Sequence, residues 1–195
     1  MTPVLEALRR ALRDLESLAP FALVGGLAVS VRAEPRLTRD VDFAVSVPDD
    51  AAAEAVVSTL RQRGYAVRTV LEHRSGRLAT ARLASPGASG VLVDLLFFSS
   101  GVEGEIVASA ESLVIAGTLV APVATGAHLL AMKVLAEEAR GRPNDHDDIL
   151  ALLAEPATDR AAARDLLDLI HARGLSRGKD LHARLDHFLG LDLGR

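Results

Sequence analysis

Two aspartates at the start of a strand-like segment are the residues of this sequence whose spacing most directly indicates chemistry. Asp40 and Asp42 open the segment DVDFAVSV, which is rich in valine. Successive side chains of a strand point to opposite faces, so residues two apart lie on the same face. Adjacent carboxylates repel each other and favour a bound cation, for which oxygen ligands indicate Mg²⁺ or Mn²⁺ rather than zinc. The alternative is a solvated strand start that binds nothing.

A third aspartate, Asp94, interrupts the apolar run VLVDLLFF. Burying an unpaired carboxylate in such a run costs several kcal/mol, so its charge must be compensated. Either a basic side chain pairs with Asp94, or Asp94 completes a metal site with Asp40 and Asp42 from an adjacent strand.

The glycine pair Gly25-Gly26 follows the apolar segment FALV and precedes a short helical segment. Glycines allow backbone N–H groups to approach a ligand closely, and the positive end of a following helix attracts anions. Phosphate is the natural occupant of such a turn. A Gly-Gly pair is also common in ordinary turns that bind no ligand.

In their order along the chain, these features resemble the signature of the nucleotidyltransferase superfamily related to DNA polymerase β. The segment FALVGGLAVSVRAEPRLTRDVDFAV contains the apolar strand, the Gly-Gly turn, the short helix and Asp-x-Asp. The form Arg-x-Thr-x-Asp-x-Asp, which begins at Arg36, is similar to the AbiEii/AbiGii toxin-like group and to small aminoglycoside nucleotidyltransferases. The later segment HLLAMKVLAEEARGRPNDHDDILALL is similar to a helical segment of both groups. The resemblance covers about residues 21–153.

The resemblance implies roles for particular residues. It implies that Asp40, Asp42 and Asp94 are catalytic and bind Mg²⁺ or Mn²⁺, and that Asp94 can accept the proton of the attacking hydroxyl. The resemblance also implies that Lys133 is catalytic and faces the phosphates of the nucleotide. The residues that the resemblance places at the nucleotide are Gly25, Gly26, Thr38, Arg39, Lys133, Asp145 and Asp148.

Two of these assignments have a structural alternative. Lys133 lies between Leu130 and Val134 in a helical segment, where a lysine is commonly a surface residue that extends its charge into water. Asp145 can equally stabilise the start of the next helix as a cap or first-turn acid.

The activity implied by the resemblance is transfer of a nucleoside monophosphate from an NTP to a hydroxyl, with release of pyrophosphate. The acceptor is tRNA or another RNA for the toxin-like group, whose members also imply an antitoxin partner, and a small molecule for the aminoglycoside group. A third interpretation is a non-catalytic protein of the same fold that binds a nucleotide or a partner. Three closely placed acids favour the enzyme, because a binding module has little need for them.

Composition excludes several other classes. The 195 residues contain 22 Lys and Arg, 26 Asp and Glu and no cysteine, for a net charge of −4. Thiolate metal sites and disulfides are therefore excluded, and general binding to duplex DNA is not expected at this charge. No histidine pair of the zinc-hydrolase type and no Walker A pattern occurs. The N-terminus resembles no signal peptide and no apolar stretch could span a membrane, so we expect a cytoplasmic protein.

Arginines are concentrated in one part of the acidic chain. Between residues 61 and 82 there are six arginines against one acid, Glu72. This cluster could hold an RNA acceptor, or it could be the solvated face of two edge strands, where charge discourages aggregation. The six are Arg61, Arg63, Arg68, Arg74, Arg77 and Arg82.

The elements that must position these residues follow from the periodicity of apolar side chains. Short valine-rich segments predict strands, and apolar residues spaced by three and four predict helices. Predicted strands cover residues 21–24, 40–47, 65–71, 77–84 and 91–98, and residues 113–123 contain two short apolar runs around Gly117. Predicted helices cover residues 3–18, 27–32, about 50–63, 125–140, 144–153, 160–173 and 178–188. Thr125 is the predicted N-cap of the helix at 125–140, and the clusters Ser85-Pro86-Gly87 and Ser89-Gly90 predict a turn.

This order of elements predicts an α/β (α+β) protein. We expect a nucleotidyltransferase-type mixed β-sheet with flanking helices in residues 1–124 and a C-terminal helical unit in residues 125–195. The strands between 65 and 98 predict a meander or part of the mixed sheet. Residues 99–112 carry only a weak pattern.

Overall fold

A mixed sheet of seven strands forms the centre of the protein in the computed structural model, which describes residues 2–73, 76–87, 90–137 and 143–192. The order across the sheet is β3-β4-β5-β2-β1-β7-β6. The strands are β1 (Phe21–Val24), β2 (Val41–Val45), β3 (Ala66–Glu72), β4 (Leu78–Ala84), β5 (Leu92–Leu96), β6 (Glu111–Ile115) and β7 (Leu119–Val123).

Helices precede, interrupt and follow these strands. In the described ranges they are α1 (Pro3–Glu16), α2 (Gly25–Arg32), α3 (Asp50–Gln62), α4 (Glu103–Ala108), α5 (Gly126–Ala136), α6 (Pro143–Ala154), α7 (Arg160–Ala172) and α8 (Leu181–Asp192). The mixed sheet with flanking helices confirms the predicted fold class.

Sheet register brings the conspicuous aspartates together. Strand β2 pairs antiparallel with β1 and parallel with β5, so Asp42 lies opposite Val24 on one side and opposite Asp94 on the other. Strand β4 continues the row, because Arg82 lies opposite Asp94. Directly opposed residues share a face of the sheet. Arg82, Asp94 and Asp42 therefore form a row across three adjacent strands.

Helix α5 is the central helix of the C-terminal part. Thr125 caps it as predicted, with its hydroxyl accepting a hydrogen bond from the His128 N–H at 3.5 Å. Most of its side chains are buried, among them Leu129 and Leu130, which is the pattern of a helix covered on all sides. It contacts α2 beside the sheet and α6, α7 and α8. Buried side chains of the strands and of these helices belong to one apolar cluster. The division of the chain at residues 124 and 125 stays a prediction.

Several boundaries differ from the predicted ones for local reasons. Helix α2 begins at Gly25 rather than residue 27, so the glycine pair forms its first turn. Helix α8 begins at Leu181 rather than residue 178, because Arg177 and Gly178 both have positive φ and form a turn. Helix α4 was not predicted, since six residues are too few to show a helical period.

The two apolar runs within 113–123 are separated by a turn, and some other predicted features lie outside the described ranges. The two runs within 113–123 are the hairpin β6–β7, whose turn has positive φ at Ala116 and Gly117, as a tight hairpin turn requires. The predicted helix 125–140 is seen as far as Ala136, and residues 138–142 lie outside the described residues. The turn residue Ser89 and the arginine Arg74 also lie outside them.

We expect Leu130→Ala to lower the free energy of unfolding by about 2–5 kcal/mol, because it leaves a cavity in the central helix. Leu130 is fully buried, whereas Leu37 is 86% exposed, so Leu37→Ala is the matched control and should change stability by less than about 0.5 kcal/mol. Urea denaturation measures both. Equal losses in the two variants would contradict the assigned core.

Candidate active site

A cavity of about 700 Å³ opens beside the row of aspartates. Its walls come from the start of α2, the loop that joins α2 to β2, strand β4 and helices α5 and α6. The residues that line it and were predicted to act are Gly25, Gly26, Thr38, Arg39, Asp40, Asp42, Lys133 and Asp145. The other lining residues include Arg36, Leu37, Arg82, Leu129, Met132 and Asn144.

The Asp42 carboxylate lies directly against the backbone of Gly25. A Cβ atom at Gly25 would lie 2.0 Å from Asp42 Oδ2, and the residue has φ of +68°, so both space and backbone conformation require glycine here. Among the described residues, none donates a hydrogen bond to Asp42 or forms an ion pair with it. Glycine at this position therefore makes room for a carboxylate that the protein itself does not neutralise.

Burial raises the pKa of Asp42 to about 7, and the neighbouring charges of Asp94 and Asp40 contribute to the rise. Lys133 and Arg82 act in the opposite direction but do not cancel it. The ionised form of Asp42 is thus held at a free-energy cost, which a divalent cation in the cavity would relieve. This donor chemistry fits Mg²⁺ or Mn²⁺.

The second glycine accommodates an arginine of the same chain. A Cβ atom at Gly26 would lie 2.5 Å from Arg36 Nη2. The Arg36 guanidinium donates two hydrogen bonds to Asp148, from Nε to Oδ1 at 2.5 Å and from Nη2 to Oδ2 at 2.7 Å. At both positions a close side chain explains why the residue is glycine. Contact of Gly25 and Gly26 with a triphosphate stays a prediction.

Lys133 lies in the cavity wall rather than on an open surface. Its ammonium is 2.6 Å from Asp145 Oδ1 and 2.7 Å from Asp148 Oδ2, and its side chain is only 13% exposed. Burial by itself would raise the Asp148 pKa, but hydrogen bonds from Arg36 and Lys133 outweigh burial and lower it. Asp145, in the first turn of α6, is buried and engaged by Lys133. Two cations and two carboxylates thus connect α2, its following loop, α5 and α6.

A basic side chain, the first of the two predicted alternatives, compensates the charge of Asp94. Arg82 donates from Nε to Oδ1 at 2.8 Å and from Nη2 to Oδ2 at 2.6 Å. Asp94 is buried beneath this guanidinium, which itself lines the cavity. Within the described ranges, no three carboxylates or imidazoles are grouped so as to hold a metal ion. The metal site of Asp40, Asp42 and Asp94 stays a prediction.

The loop before β2 supplies the remaining predicted residues. Thr38 donates a hydrogen bond to the backbone oxygen of Asp40 at 3.3 Å, and Arg39 is exposed at the cavity. Asp40 is partly buried and lies one residue before the strand begins. The sequence did not single out Arg36 as a partner of Asp148, nor Arg82 as a partner of Asp94. The antiparallel register of the two predicted strands could have identified the second pair.

The arginine cluster between residues 61 and 82 is dispersed in the fold. Arg63 donates to the backbone oxygen of Asp14 at 2.5 Å, and Arg77 lies 3.9 Å over the ring of Phe98. Arg82 is at the cavity, whereas Arg61 and Arg68 are exposed on α3 and β3. The cluster therefore does not form one continuous basic surface in the described residues.

A comparison with known families identifies the family of this chain. The family model described as nucleotidyl transferase AbiEii toxin, type IV TA system, matches residues 6–192. The chain belongs to the AbiEii nucleotidyltransferase family. The predicted resemblance is thereby confirmed, and the AbiEii-type chain is a transferase enzyme. Among curated proteins, none matches the chain.

Solved structures share the fold of this AbiEii-type chain. The solution structure of the antibiotic-resistance factor ANT(2'')-Ia matches with a TM-score of 0.55 and 19% identity, over 93% of this chain and 94% of that one. The lincosamide antibiotic adenylyltransferase LnuA, with lincomycin bound, matches with a TM-score of 0.50 and 17% identity, over 76% of this chain and 96% of that one. At sequence identities this low, the similarity to these structures shows only that the fold is shared. None of the helices in the described ranges has the length and apolar character to cross a membrane.

We expect Asp42→Asn to stabilise the metal-free protein, and the gain should grow as pH rises. Because the folded-state pKa is raised from 3.8 to about 7, the folded protein retains a proton that the unfolded chain releases, and stability is lost as pH rises through 7. The variant should be more stable by about 1–4 kcal/mol at pH 8 and nearly unchanged at pH 4. Thermal melts in EDTA test this, with Asp147→Asn as the exposed control. A less stable variant at pH 8 would mean that Asp42 is a structural acid.

We expect Asp148→Ala to destabilise the protein by about 3 kcal/mol, because the change leaves the largely buried charges of Arg36 and Lys133 with fewer partners. The neighbouring Asp147→Ala removes an exposed carboxylate from the same helix and should have little effect. Urea denaturation at pH 7 compares them. Equal stability of the two variants would show that the network contributes no more than surface ion pairs do.

Proposed function

We propose that this AbiEii-type nucleotidyltransferase uses Mg²⁺ or Mn²⁺ to transfer a nucleoside monophosphate from an NTP to a hydroxyl of an RNA such as tRNA, releasing pyrophosphate. The observation that carries the proposal is the Asp42 carboxylate, which faces the cavity without a partner among the described residues. It is held against Gly25 at a raised pKa.

The residues that would hold the metal are Asp42, Asp40 and Asp94. When bound, the metal stabilises the charge that develops on the attacking and leaving oxygens at the α-phosphate. Asp42 supplies an ionised oxygen whose charge Lys133 and Arg82 compensate only in part, and Asp40 adds a second at the cavity wall. Asp94 lies beside Asp42 in the sheet register, the position from which it would accept the proton of the attacking hydroxyl.

The phosphates of the NTP would lie between the start of α2 and Lys133. The N–H groups of Gly25 and Gly26 open α2, where the helix attracts anions. Lys133 contributes a cation from the opposite wall, fixed by Asp145 and Asp148. Thr38 and Arg39 extend the same wall from the loop before β2. This arrangement positions the α-phosphate near the acids and neutralises the leaving pyrophosphate.

An RNA acceptor is supported by the cations that remain accessible at the cavity. Arg39 is exposed there and the Arg82 side chain is 46% exposed, and both can approach backbone phosphates. Aromatic residues are only 3% of the chain, so contacts with phosphate and sugar outweigh base stacking. A small-molecule acceptor of the aminoglycoside type is the second candidate, since the cavity volume of about 700 Å³ suits such a ligand.

The biological setting that we propose is a toxin-antitoxin pair in the cytoplasm. The matching family is described as a toxin of a type IV system, so an antitoxin encoded with the chain is the expected partner. NTPs and Mg²⁺ are both available in that compartment.

Incubation with each labelled NTP, Mg²⁺ and total RNA tests the proposal. A labelled RNA band that disappears in EDTA supports it, and parallel reactions with aminoglycosides distinguish the second candidate. Absence of metal-dependent NTP binding at millimolar Mg²⁺ would instead favour a non-catalytic binding protein of the same fold.

We expect Asp42→Asn to lower the transfer rate by at least about 100-fold, because it removes a charged metal ligand while keeping nearly the same volume. Folding should persist, as circular dichroism would show. The exposed Asp147→Asn is the control and should retain the parent rate. A folded Asp42→Asn variant with full activity would contradict the metal site.

A further inference from the structure

In the row Arg82–Asp94–Asp42, the Arg82 guanidinium is hydrogen-bonded to Asp94, which is one of the three proposed metal ligands. Both oxygens of Asp94 accept hydrogen bonds from Arg82, at 2.8 and 2.6 Å. Such paired, charge-assisted hydrogen bonds are among the strongest that side chains make. A metal ion at Asp94 must therefore share this carboxylate with the guanidinium or displace it.

The two partners differ in their freedom to move. The Asp94 side chain is 8% exposed and is fixed in the middle of β5, between β2 and β4. The Arg82 side chain is 46% exposed and lines the cavity. Arg82 can swing into the cavity without opening the core, whereas Asp94 cannot leave its position. Release of the pair is thus a movement of Arg82 alone.

The pair also stabilises the arrangement without metal. Asp94 and Asp42 are directly opposed on neighbouring strands, where like charges destabilise a sheet. Asp42 has no ion-pair partner in the described ranges, and Lys133 and Arg82 both lower its pKa. Arg82 compensates the row through its direct contact with Asp94. The Arg82 guanidinium thus reduces the repulsion between Asp94 and Asp42, but it also occupies the Asp94 carboxylate.

We propose that Arg82 is the internal counter-ion of Asp94 and competes with the divalent cation for that carboxylate, so that Arg82 sets the metal affinity of the site. The inference rests on the proposed metal-dependent function but concerns a residue to which that function assigns no such role. Arg82 is a positioning residue here: it acts on the metal through Asp94.

Binding of Mn²⁺ alone, without NTP, tests the competition. Electron paramagnetic resonance detects free aqueous Mn²⁺ and gives its affinity for the full chain. Arg82→Gln should bind Mn²⁺ roughly tenfold more tightly than the parent or better, because no charge-assisted pair has to be broken. Arg68→Gln removes the same charge from an exposed position on β3 outside the cavity and should change the affinity less than about twofold.

A double-mutant cycle separates competition at Asp94 from a general field effect. In an Asp94→Asn background, the further change Arg82→Gln should no longer tighten Mn²⁺ binding. Arg82→Lys keeps the charge but loses the two-pronged contact, and we expect an affinity between those of the parent and Arg82→Gln. The lysine variant also preserves the test if Arg82→Gln does not fold, which thermal melts would show.

Equal Mn²⁺ affinity of the parent and the folded Arg82 variants would overturn the inference. Tightening that persists in the Asp94→Asn background would also overturn it, because the effect would not act through Asp94. Failure of every variant to bind Mn²⁺ would reject both this inference and the metal dependence of the proposed function. Tightening with no transfer to any acceptor would reject the proposed function and leave the inference standing.

Discussion

The charge of Asp42, which neighbouring cations compensate only in part, is the constraint on which the rest of this site depends. The carboxylate lies at the end of a central strand, against the backbone of Gly25 and beside Asp94. It is partly buried there, and burial raises its pKa. A folded protein tolerates such a group when function requires it, since strongly shifted groups are concentrated at active sites. The surrounding features are best understood as ways of holding this charge in place.

Two glycines and two cations make that position stable. Gly25 allows the carboxylate to approach the backbone, and Gly26 allows Arg36 to reach Asp148. Arg36 and Lys133 together enclose Asp148, which joins the loop before β2 to α5 and α6. Because the participating carboxylates are buried, this network is less screened by solvent than surface ion pairs are. The loop that leads into Asp40 and Asp42 is thus fixed by the helices that form the opposite wall of the cavity.

The balance of charge around the cavity explains why the acids can lie so close together without a ready-made metal cluster. Arg82 neutralises Asp94, whereas Asp42 has no ion-pair partner among the described residues. Acidic and basic side chains are interspersed around the same space, from Arg82 and Asp94 through Asp42 to Lys133 and Asp145. Phosphoryl chemistry requires both signs of charge, because carboxylates hold metal ions and cations bind the phosphates.

Local patterns in the sequence were enough to predict most of the elements and the identity of the acids. The strand at residues 21–24, the Thr125 cap and the Asp-x-Asp motif follow from neighbours within a few residues, which is the range over which propensity and capping act. Motif order was also sufficient for the family, since the glycine pair, Arg36 and the acids lie within one short segment. The short helix α4 was missed because six residues are too few to show a helical period, and the start of α8 was missed because it depends on the turn at Arg177 and Gly178.

The pairing of charged side chains was decided only by the tertiary structure. Asp148 lies 112 residues from Arg36, and no local rule connects them. Asp94 could have paired with a base or with a metal, and the β4–β5 register selected Arg82. The glycine pair could have been an ordinary turn, and the approach of Asp42 and Arg36 gave each glycine its steric reason. The sequence by itself therefore determined the family and the candidate acids, while the pairing of strands and helices determined which charges lie next to each other, because electrostatic interactions depend on distance and burial in space.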